Sequence, residues 1–166
     1  PKEAQKKLNL PRNPRDYTSI AVTTDDSNDE IVYASSMGDG VIQYKNGTPV
    51  QSYNEKNAFK ETAGGYGSGY CYIDGLAFDK NGNLWMTSSE VNHAVLVLDK
   101  AGAWHRLDIE QLRGVYTIND ILITSTNDKW IYVPRNTPKL VMIPNSESLD
   151  EVSSYEFTTL LSLIHI

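Results

Sequence analysis

The sequence predicts an all-β protein, and three observations support this prediction. Short runs of apolar residues, rich in Val, Ile, Tyr, Phe and Trp, alternate with clusters of Gly, Pro, Asn and Asp, as between β-strands. Two such runs flank Asn46 and Gly47, a pair that favours the tight turn of a β-hairpin. A unit of strand, turn and strand also recurs along the chain. Convincing helical periodicity is absent, and only 108–113 is expected to form a single helical turn.

The recurring unit is clearest at 74–89, where two apolar runs flank a turn rich in Asp, Asn and Gly. It returns in weaker form at 119–133, and a more diverged copy spans 19–36. Trp85 and Trp130 fall on equivalent positions of the two clearer copies. Self-similarity at a spacing of about 45 residues, with several strands per unit, is typical of β-propeller blades. The sequence therefore predicts about three blades of a β-propeller.

The blades are predicted at about 19–53, 74–108 and 119–160, which together make a partial β-propeller over 19–160. Residues 1–18 are polar and contain prolines, so they are expected to form an incoming connector. Closed propellers usually have about 4–8 blades, and we therefore expect this chain to be a piece of a larger ring. The first residue is not Met and no signal peptide is recognisable, which agrees with that expectation.

The last six residues, 161–166, are interpreted as a sequencing-adapter artefact. They can be back-translated as CTG TCT CTT ATA CAC ATC, which resembles the transposon mosaic-end adapter used in sequencing libraries. The alternative is a natural apolar β-tail.

Strands are predicted where apolar runs lie between turn residues. In the first blade the runs are 19–24, 30–36, 40–44 and 48–53. In the second blade they contain Leu76 and Phe78, 84–86, 94–98 and 104–107. In the third blade they are 120–124, 129–133, 139–143 and 154–160. The continuous run 94–98 is expected to be buried on both faces, as between stacked blades. The Gly-rich connector 54–73 is expected to be a flexible loop with exposed tyrosines.

Composition and charge argue against several classes of function. The net charge of −6 is unfavourable for a broad nucleic-acid surface, so no nucleic-acid partner is expected. The chain contains no run of about 18 apolar residues, and no membrane span is therefore predicted in it. The single Cys71 excludes an internal disulfide and is expected to be a buried structural thiol.

No catalytic, metal-binding or cofactor-binding residue is predicted. Asp79, Asn81 and Asn83 surround Gly82 with oxygen-bearing side chains at alternate positions, as in a calcium loop. The further carboxylates of such a loop are missing, and Gly82 and Asn83 are interpreted as structural residues of a tight turn. The acidic segment 25–30 is likewise interpreted as a solvated turn. The histidines lack metal-ligand spacing, and neither a nucleophile elbow nor a Walker motif is present.

The candidate ligand or partner contacts are tyrosines. Tyr66, Tyr70 and Tyr72 belong to the Gly-rich connector, where their rings can stack on a sugar or on a partner's surface. The alternative is that they cover the edge of a blade. Trp85 and Trp130 are interpreted instead as core aromatics, because the repeat places both in the same strand of their blades.

Two sets of residues resemble known families. The unit 79–88, with the sequence DKNGNLWMTS, resembles the two-component-regulator propeller repeat, whose pattern is D-x-x-G-N-[IL]-W-[IV]-[GTS]. Segments 32–47 and 50–57 resemble the PorZ family, propeller proteins of the type IX secretion system attachment complex in Bacteroidota. This resemblance covers about 17–160. Met37 departs from it, since the family pattern has Trp at that position.

The resemblance implies two seven-bladed propellers followed by a C-terminal sorting-type domain at the outer-membrane cell surface. It implies other outer-membrane secretion-complex subunits as partners, contacts with anionic lipopolysaccharide or oligosaccharide, and neither enzymatic activity nor a cofactor. One alternative is the periplasmic ligand-sensing propeller of a hybrid two-component histidine kinase, since the same repeat builds such sensors. Another is an enzyme on a propeller scaffold, such as a lyase or a lactonase.

Overall fold

The computed structural model describes residues 16–60, 69–150 and 152–158. The predicted all-β fold is confirmed, since the described residues form strands joined by turns, with one short 3₁₀ turn at Glu110–Leu112. The strands are β1 Tyr17–Thr24, β2 Glu30–Gly38, β3 Gly40–Lys45, β4 Thr48–Tyr53, β5 Cys71–Phe78, β6 Leu84–Ser88, β7 Val95–Leu98, β8 Trp104–Leu107, β9 Ile121–Ile123, β10 Lys129–Val133, β11 Lys139–Ile143 and β12 Tyr155–Thr158. Across these ranges, no helix has the length and hydropathy of a membrane span.

The strands form three groups of four, and consecutive strands within each group are antiparallel neighbours. Group one is β1–β4, group two is β5–β8 and group three is β9–β12. The end of β2 also pairs with the start of β5, through Met37 with Tyr72 and Gly38 with Cys71. This short ladder joins groups one and two into a single curled sheet, whereas group three forms a second sheet.

The turn between the first and second strands has the same construction in every group. These turns are 25–29, 79–83 and 124–128. In each turn, the N–H of the first residue donates to the carbonyl of the fifth residue, and the N–H of the fourth residue donates to the carbonyl of the first. The fourth residues have left-handed φ values of 63°, 83° and 69°, which suits the residues found there, Asn28, Gly82 and Asn127. This geometry makes Trp85 and Trp130 structurally equivalent.

Two apolar cores lie between the groups. The core between groups one and two includes Tyr33, Val41, Phe59, Ile73, Leu84 and Met86. The core between groups two and three includes Trp85, Ile109, Ile121, Ile131, Val141 and Ile143. Strand β7 contributes to both, because Val95 and Val97 face one core while Leu96 and Leu98 face the other. The predicted burial of 94–98 on both faces is confirmed.

The structure corrects the predicted connector 54–73. Strand β5 begins at Cys71, so Tyr72 lies in a strand and not in a flexible loop. The physical reason is burial, since the Cys71 side chain is 1% exposed and packs in the core between groups one and two. The start of the connector is packed as well, because the buried Phe59 ring lies edge-on to Trp104 with centroids 5.4 Å apart. Local glycine content could not reveal these long-range contacts.

The predicted division into domains remains a prediction. Most of the connector 1–18 and all of the tail 161–166 lie outside the described residues. The three observed groups span 17–53, 71–107 and 121–158.

Candidate functional site

Trp85 lies at the contact between groups two and three. Its side chain is 2% exposed, and its indole Nε1 donates to Asp79 Oδ2 at 2.9 Å. The ammonium of Lys129 on β10 lies 4.5 Å from the centroid of the Trp85 ring. Lys129 is itself 2% exposed, and burial lowers its pKa, which the nearby carboxylates of Asp79 and Asp128 oppose. A buried cation–π contact therefore connects the two groups.

Gly82 and Asn83 build the turn that positions this carboxylate. Asp79 Oδ1 accepts the backbone N–H groups of Asn81 and Asn83, and Asp79 Oδ2 also accepts the Asn83 side-chain amide. Both oxygens of Asp79 are thus engaged by the turn and by Trp85, which is the arrangement of a capped hairpin turn. Within the described ranges, no group of three or more His, Cys, Asp or Glu side chains is placed to hold a metal ion.

Trp130 occupies the equivalent strand position in a different environment. It is half-buried and lines an apolar hollow of about 300 Å³ together with Leu122, Tyr132 and Leu140. Leu122 is 65% exposed. The structure does not enclose Trp130 as the core aromatic that the repeat predicted, because no described strand covers this face of group three.

Five side chains form a tyrosine–carboxylate cluster beside the start of β5: Tyr70, Tyr72, Asp74, Glu90 and Tyr116. Hydrogen bonds hold their segments together, since Ser89 N–H donates to the Tyr72 carbonyl and Glu90 N–H donates to the Val115 carbonyl. Burial raises the pKa of Tyr72, and the nearby Asp74, Tyr70, Tyr116 and Glu90 raise it further. The cluster therefore gathers residues from β5, from the residue before it, from the β6–β7 loop and from the segment after group two.

Tyr70 and Tyr72 form an aromatic corner. Their ring centroids are 6.3 Å apart and their planes meet at 89°. The Tyr70 ring lies directly against Gly38, where an added Cβ would approach a ring carbon to 2.9 Å. Tyr72 is held by its pairing with Met37 in the ladder between groups one and two. Tyr66, the third predicted contact residue, lies outside the described residues.

Asp74 is a half-buried carboxyl of the cluster. Ser89 Oγ donates to Asp74 Oδ2 at 2.7 Å. The same Ser89 Oγ accepts a hydrogen bond from the backbone N–H of Ile118 at 2.8 Å. Burial raises the pKa of Asp74 to about 8, although the hydrogen bonds from Ser89 act in the opposite direction. At neutral pH this carboxyl is therefore largely protonated.

Glu90 supplies the second carboxyl. Its backbone has φ of 61°, and its N–H donates to the Val115 carbonyl at 2.8 Å, which fixes the loop against the segment bearing Tyr116. Glu90 Oε1 is buried and has no hydrogen-bond partner in the described part of the chain. Tyr116 is 56% exposed and forms the solvent side of the cluster.

Tyr70 and Tyr72 were predicted from the sequence as contact residues, whereas the other three members of the cluster were not. Tyr72 and Asp74 are two residues apart, so both lie on one side of a strand, and this signal appears once β5 is known to begin at Cys71. Glu90 and Tyr116 carry no local signal, because a hydrogen bond between distant segments brings them together.

Two other cavities lie beside paired charges. A groove of about 450 Å³ between groups one and two is lined by Lys45, whose ammonium lies 2.6 Å from Asp25 and 2.8 Å from Asp29. Hydrogen bonds from Lys45 lower the pKa of both carboxyls. A cavity of about 390 Å³ is lined by His105, whose Nε2 is 2.9 Å from Asp99 Oδ2. This cavity is also lined by Arg106, whose buried Nε has no hydrogen-bond partner among the described residues. The tyrosine–carboxylate cluster combines such an atom, Glu90 Oε1, with three tyrosine rings, and it is the stronger candidate for binding a partner.

No protein-family model and no curated protein sequence matches this chain. PorZ of Porphyromonas gingivalis, described as an essential bacterial surface component of the type-IX secretion system, has a similar structure. The TM-score is 0.75 at 19% identity, over 93% of this chain and 21% of PorZ.

The extracellular domains of two putative hybrid two-component systems of B. thetaiotaomicron are similar too. One has a TM-score of 0.60 at 14% identity, over 86% of this chain and 18% of its own. The other has a TM-score of 0.54 at 16% identity, over 84% of this chain and 17% of its own. This chain has the fold of part of a β-propeller. It spans about a fifth of the length of these proteins, and at such identities the likeness concerns the fold alone.

Proposed function

We propose that this chain is part of a non-enzymatic surface component of a type IX secretion system, which acts by binding other proteins and glycans. The observation that carries the proposal is the likeness to PorZ, which extends over 93% of the chain at a TM-score of 0.75. The resemblance of segments 32–47 and 50–57 to the same family is a second, sequence-based support. A location at the outer-membrane cell surface is part of this proposal.

The tyrosine–carboxylate cluster supports a binding role. Tyrosine rings combine a large apolar area with a polar tip, which is why they are enriched at interfaces. Tyr70, Tyr72 and Tyr116 offer such rings, and Asp74 and Glu90 add hydrogen-bond acceptors. Other outer-membrane secretion-complex subunits are the proposed partners. Contact with anionic lipopolysaccharide would use another surface, since the Glu90 carboxylate repels anionic groups. A neutral oligosaccharide is compatible with these rings.

A second candidate is the periplasmic ligand-sensing propeller of a hybrid two-component histidine kinase. Its support comes from the likeness to two extracellular sensor-system domains, with TM-scores of 0.60 and 0.54. The repeat motif at 79–88 is compatible with both candidates. The sensor is the second candidate because the resemblance of segments 32–47 and 50–57 supports only the secretion component.

The decisive experiment is to sequence the intact locus across both ends of this reading frame. If the chain is part of a secretion component, the locus should encode further blades followed by a small β-rich sorting domain, without a membrane helix. Cross-linking on intact cells should then join the full-length protein to outer-membrane secretion subunits. A membrane helix followed by a histidine-kinase domain would overturn the first proposal and support the sensor. Recovery of the native protein only as a free soluble species would also count against the secretion component.

A further inference from the structure

We propose that the tyrosine–carboxylate cluster binds a cationic side chain of a partner polypeptide, a lysine ammonium or an arginine guanidinium. This inference rests on the proposed binding function and names the chemical group that the cluster recognises. Three features carry it: the aromatic corner of Tyr70 and Tyr72, the unpaired buried oxygen of Glu90, and the second carboxyl of Asp74 beside them.

The aromatic corner has a shape suited to a cation. A cation is attracted to the face of a tyrosine ring when it lies within about 6 Å of the ring centroid. Tyr70 and Tyr72 form an edge-to-face pair at 89° with centroids 6.3 Å apart, and the proposed cation lies over the face of one of these rings. Tyr116, which is largely exposed, adds a third ring at the solvent side.

Glu90 contributes a carboxylate oxygen that accepts no hydrogen bond from the described residues. Its Oε1 is buried without a hydrogen-bond partner in the described residues, whereas most buried polar atoms of native proteins are paired. The backbone at Glu90 is held in a left-handed conformation by Glu90 N–H to Val115 and by Ser89 N–H to Tyr72. Such a conformation is unfavourable for glutamate and marks a side chain that its surroundings hold in place. Because no donor offsets the charge of this carboxylate, a cation placed beside it would be stabilised.

Asp74 links the binding of a cation to the release of a proton. Burial raises its pKa to about 8, Ser89 Oγ lies 2.7 Å from its Oδ2, and Tyr72 on the same strand is the tyrosine that its charge acts on. A cation placed beside a carboxyl favours the ionised form, so its arrival lowers this pKa. Binding should therefore strengthen as pH rises toward about 8 and should release protons below that value.

The test is calorimetric titration of the full-length protein with the peptide acetyl-Gly-Lys-Gly-amide. The matched control peptide carries norleucine, which keeps the aliphatic stem of lysine and lacks the ammonium. We expect the lysine peptide to bind at least about tenfold more tightly than the norleucine peptide. We also expect affinity to fall between about pH 8 and pH 6, with a proton released on binding in that range.

Substitutions locate the site. Tyr116→Ala removes an exposed ring and Glu90→Gln removes a charge with little change of shape, and each should weaken lysine-peptide binding about five- to tenfold. Tyr132→Ala is the matched control, since it removes an exposed tyrosine from β10, outside the cluster, and should leave affinity unchanged.

The cation site is overturned if the two peptides bind equally or not at all, or if only a neutral oligosaccharide binds. It is also overturned if Tyr116→Ala and Glu90→Gln behave like Tyr132→Ala. These outcomes leave the secretion-component proposal untouched, because the locus tests that proposal. Conversely, selective binding of lysine by a protein whose locus encodes a kinase would keep the cation site and overturn the secretion component.

Discussion

Replacing Gly75 by alanine should loosen the contact between groups two and three. An added Cβ would lie 2.7 Å from the Ile121 backbone nitrogen and 2.9 Å from Asp120 Oδ1, whereas ordinary contact begins at 3.4 Å. The Ile121 nitrogen belongs to the backbone of β9 and cannot turn aside as a flexible side chain can. The Gly75 N–H also donates to the buried Thr87 Oγ1 at 2.9 Å, so moving Gly75 instead would strain that hydrogen bond.

The size of the effect follows from two opposing contributions. Forcing an extra carbon into a packed contact costs about 1–3 kcal/mol. Reducing the freedom of the unfolded chain at a former glycine returns about 0.4–1 kcal/mol. We therefore expect Gly75→Ala to lower the free energy of unfolding by about 1–2 kcal/mol.

The assay combines urea unfolding with amide hydrogen exchange. Tryptophan fluorescence should report the loosening, because Trp85 lies in the affected contact, and the Ile121 amide should exchange faster. Gly102→Ala is the control, since an added Cβ there has no neighbour within 4 Å and only its turn, with φ of 91°, is strained. Faster exchange should then appear near Ala103 and not at Ile121. Unchanged stability and unchanged Ile121 exchange in Gly75→Ala would refute the close approach of the two sheets.

Three further outcomes are expected. Asp79→Ala leaves the buried Trp85 Nε1 without its acceptor and should lower the free energy of unfolding by about 1–3 kcal/mol; an unchanged urea midpoint would contradict this. The folded-state pKa of Asp74, about 8, exceeds its unfolded value near 3.9, so stability should fall as pH rises between these values. Asp74→Asn should remove this dependence of stability on pH. If the thermal midpoints of Asp74→Asn and the parent protein differ by the same amount at every pH, the raised pKa of Asp74 is contradicted. Lys45→Ala should raise the pKa of its two carboxylate partners, and identical carboxyl titrations by NMR would disprove the ion pairs.

The strands and hairpin turns were predictable because neighbouring residues specify them. Asn46 and Gly47 adopt φ values of 47° and 74°, as their turn requires, and the predicted hairpin between β3 and β4 is confirmed. The three copies of the first turn were recognisable because Asn or Gly stands at each left-handed position. The apolar run 94–98 predicted its own burial on both faces, since only a strand between two cores can be apolar at every position.

Contacts between sheets were not predictable from the same patterns. Trp85 and Trp130 are equivalent in the repeat, but only Trp85 is enclosed, because group three covers it. Lys129 would be expected at the surface, yet the aromatic ring and two carboxylates make its burial tolerable. Tyr72 was assigned to a loop because its neighbouring glycines gave no hint of the strand on the other side.

Repeat, strands and turns thus follow from the chain's local preferences, since backbone conformation and turn hydrogen bonds depend on residues close in sequence. The burial of Lys129 against Trp85 and the meeting of Glu90 and Tyr116 with Tyr72 depend on how separate segments pack. Such contacts join residues that are far apart in the chain, and no local sequence pattern indicates which distant residues will meet.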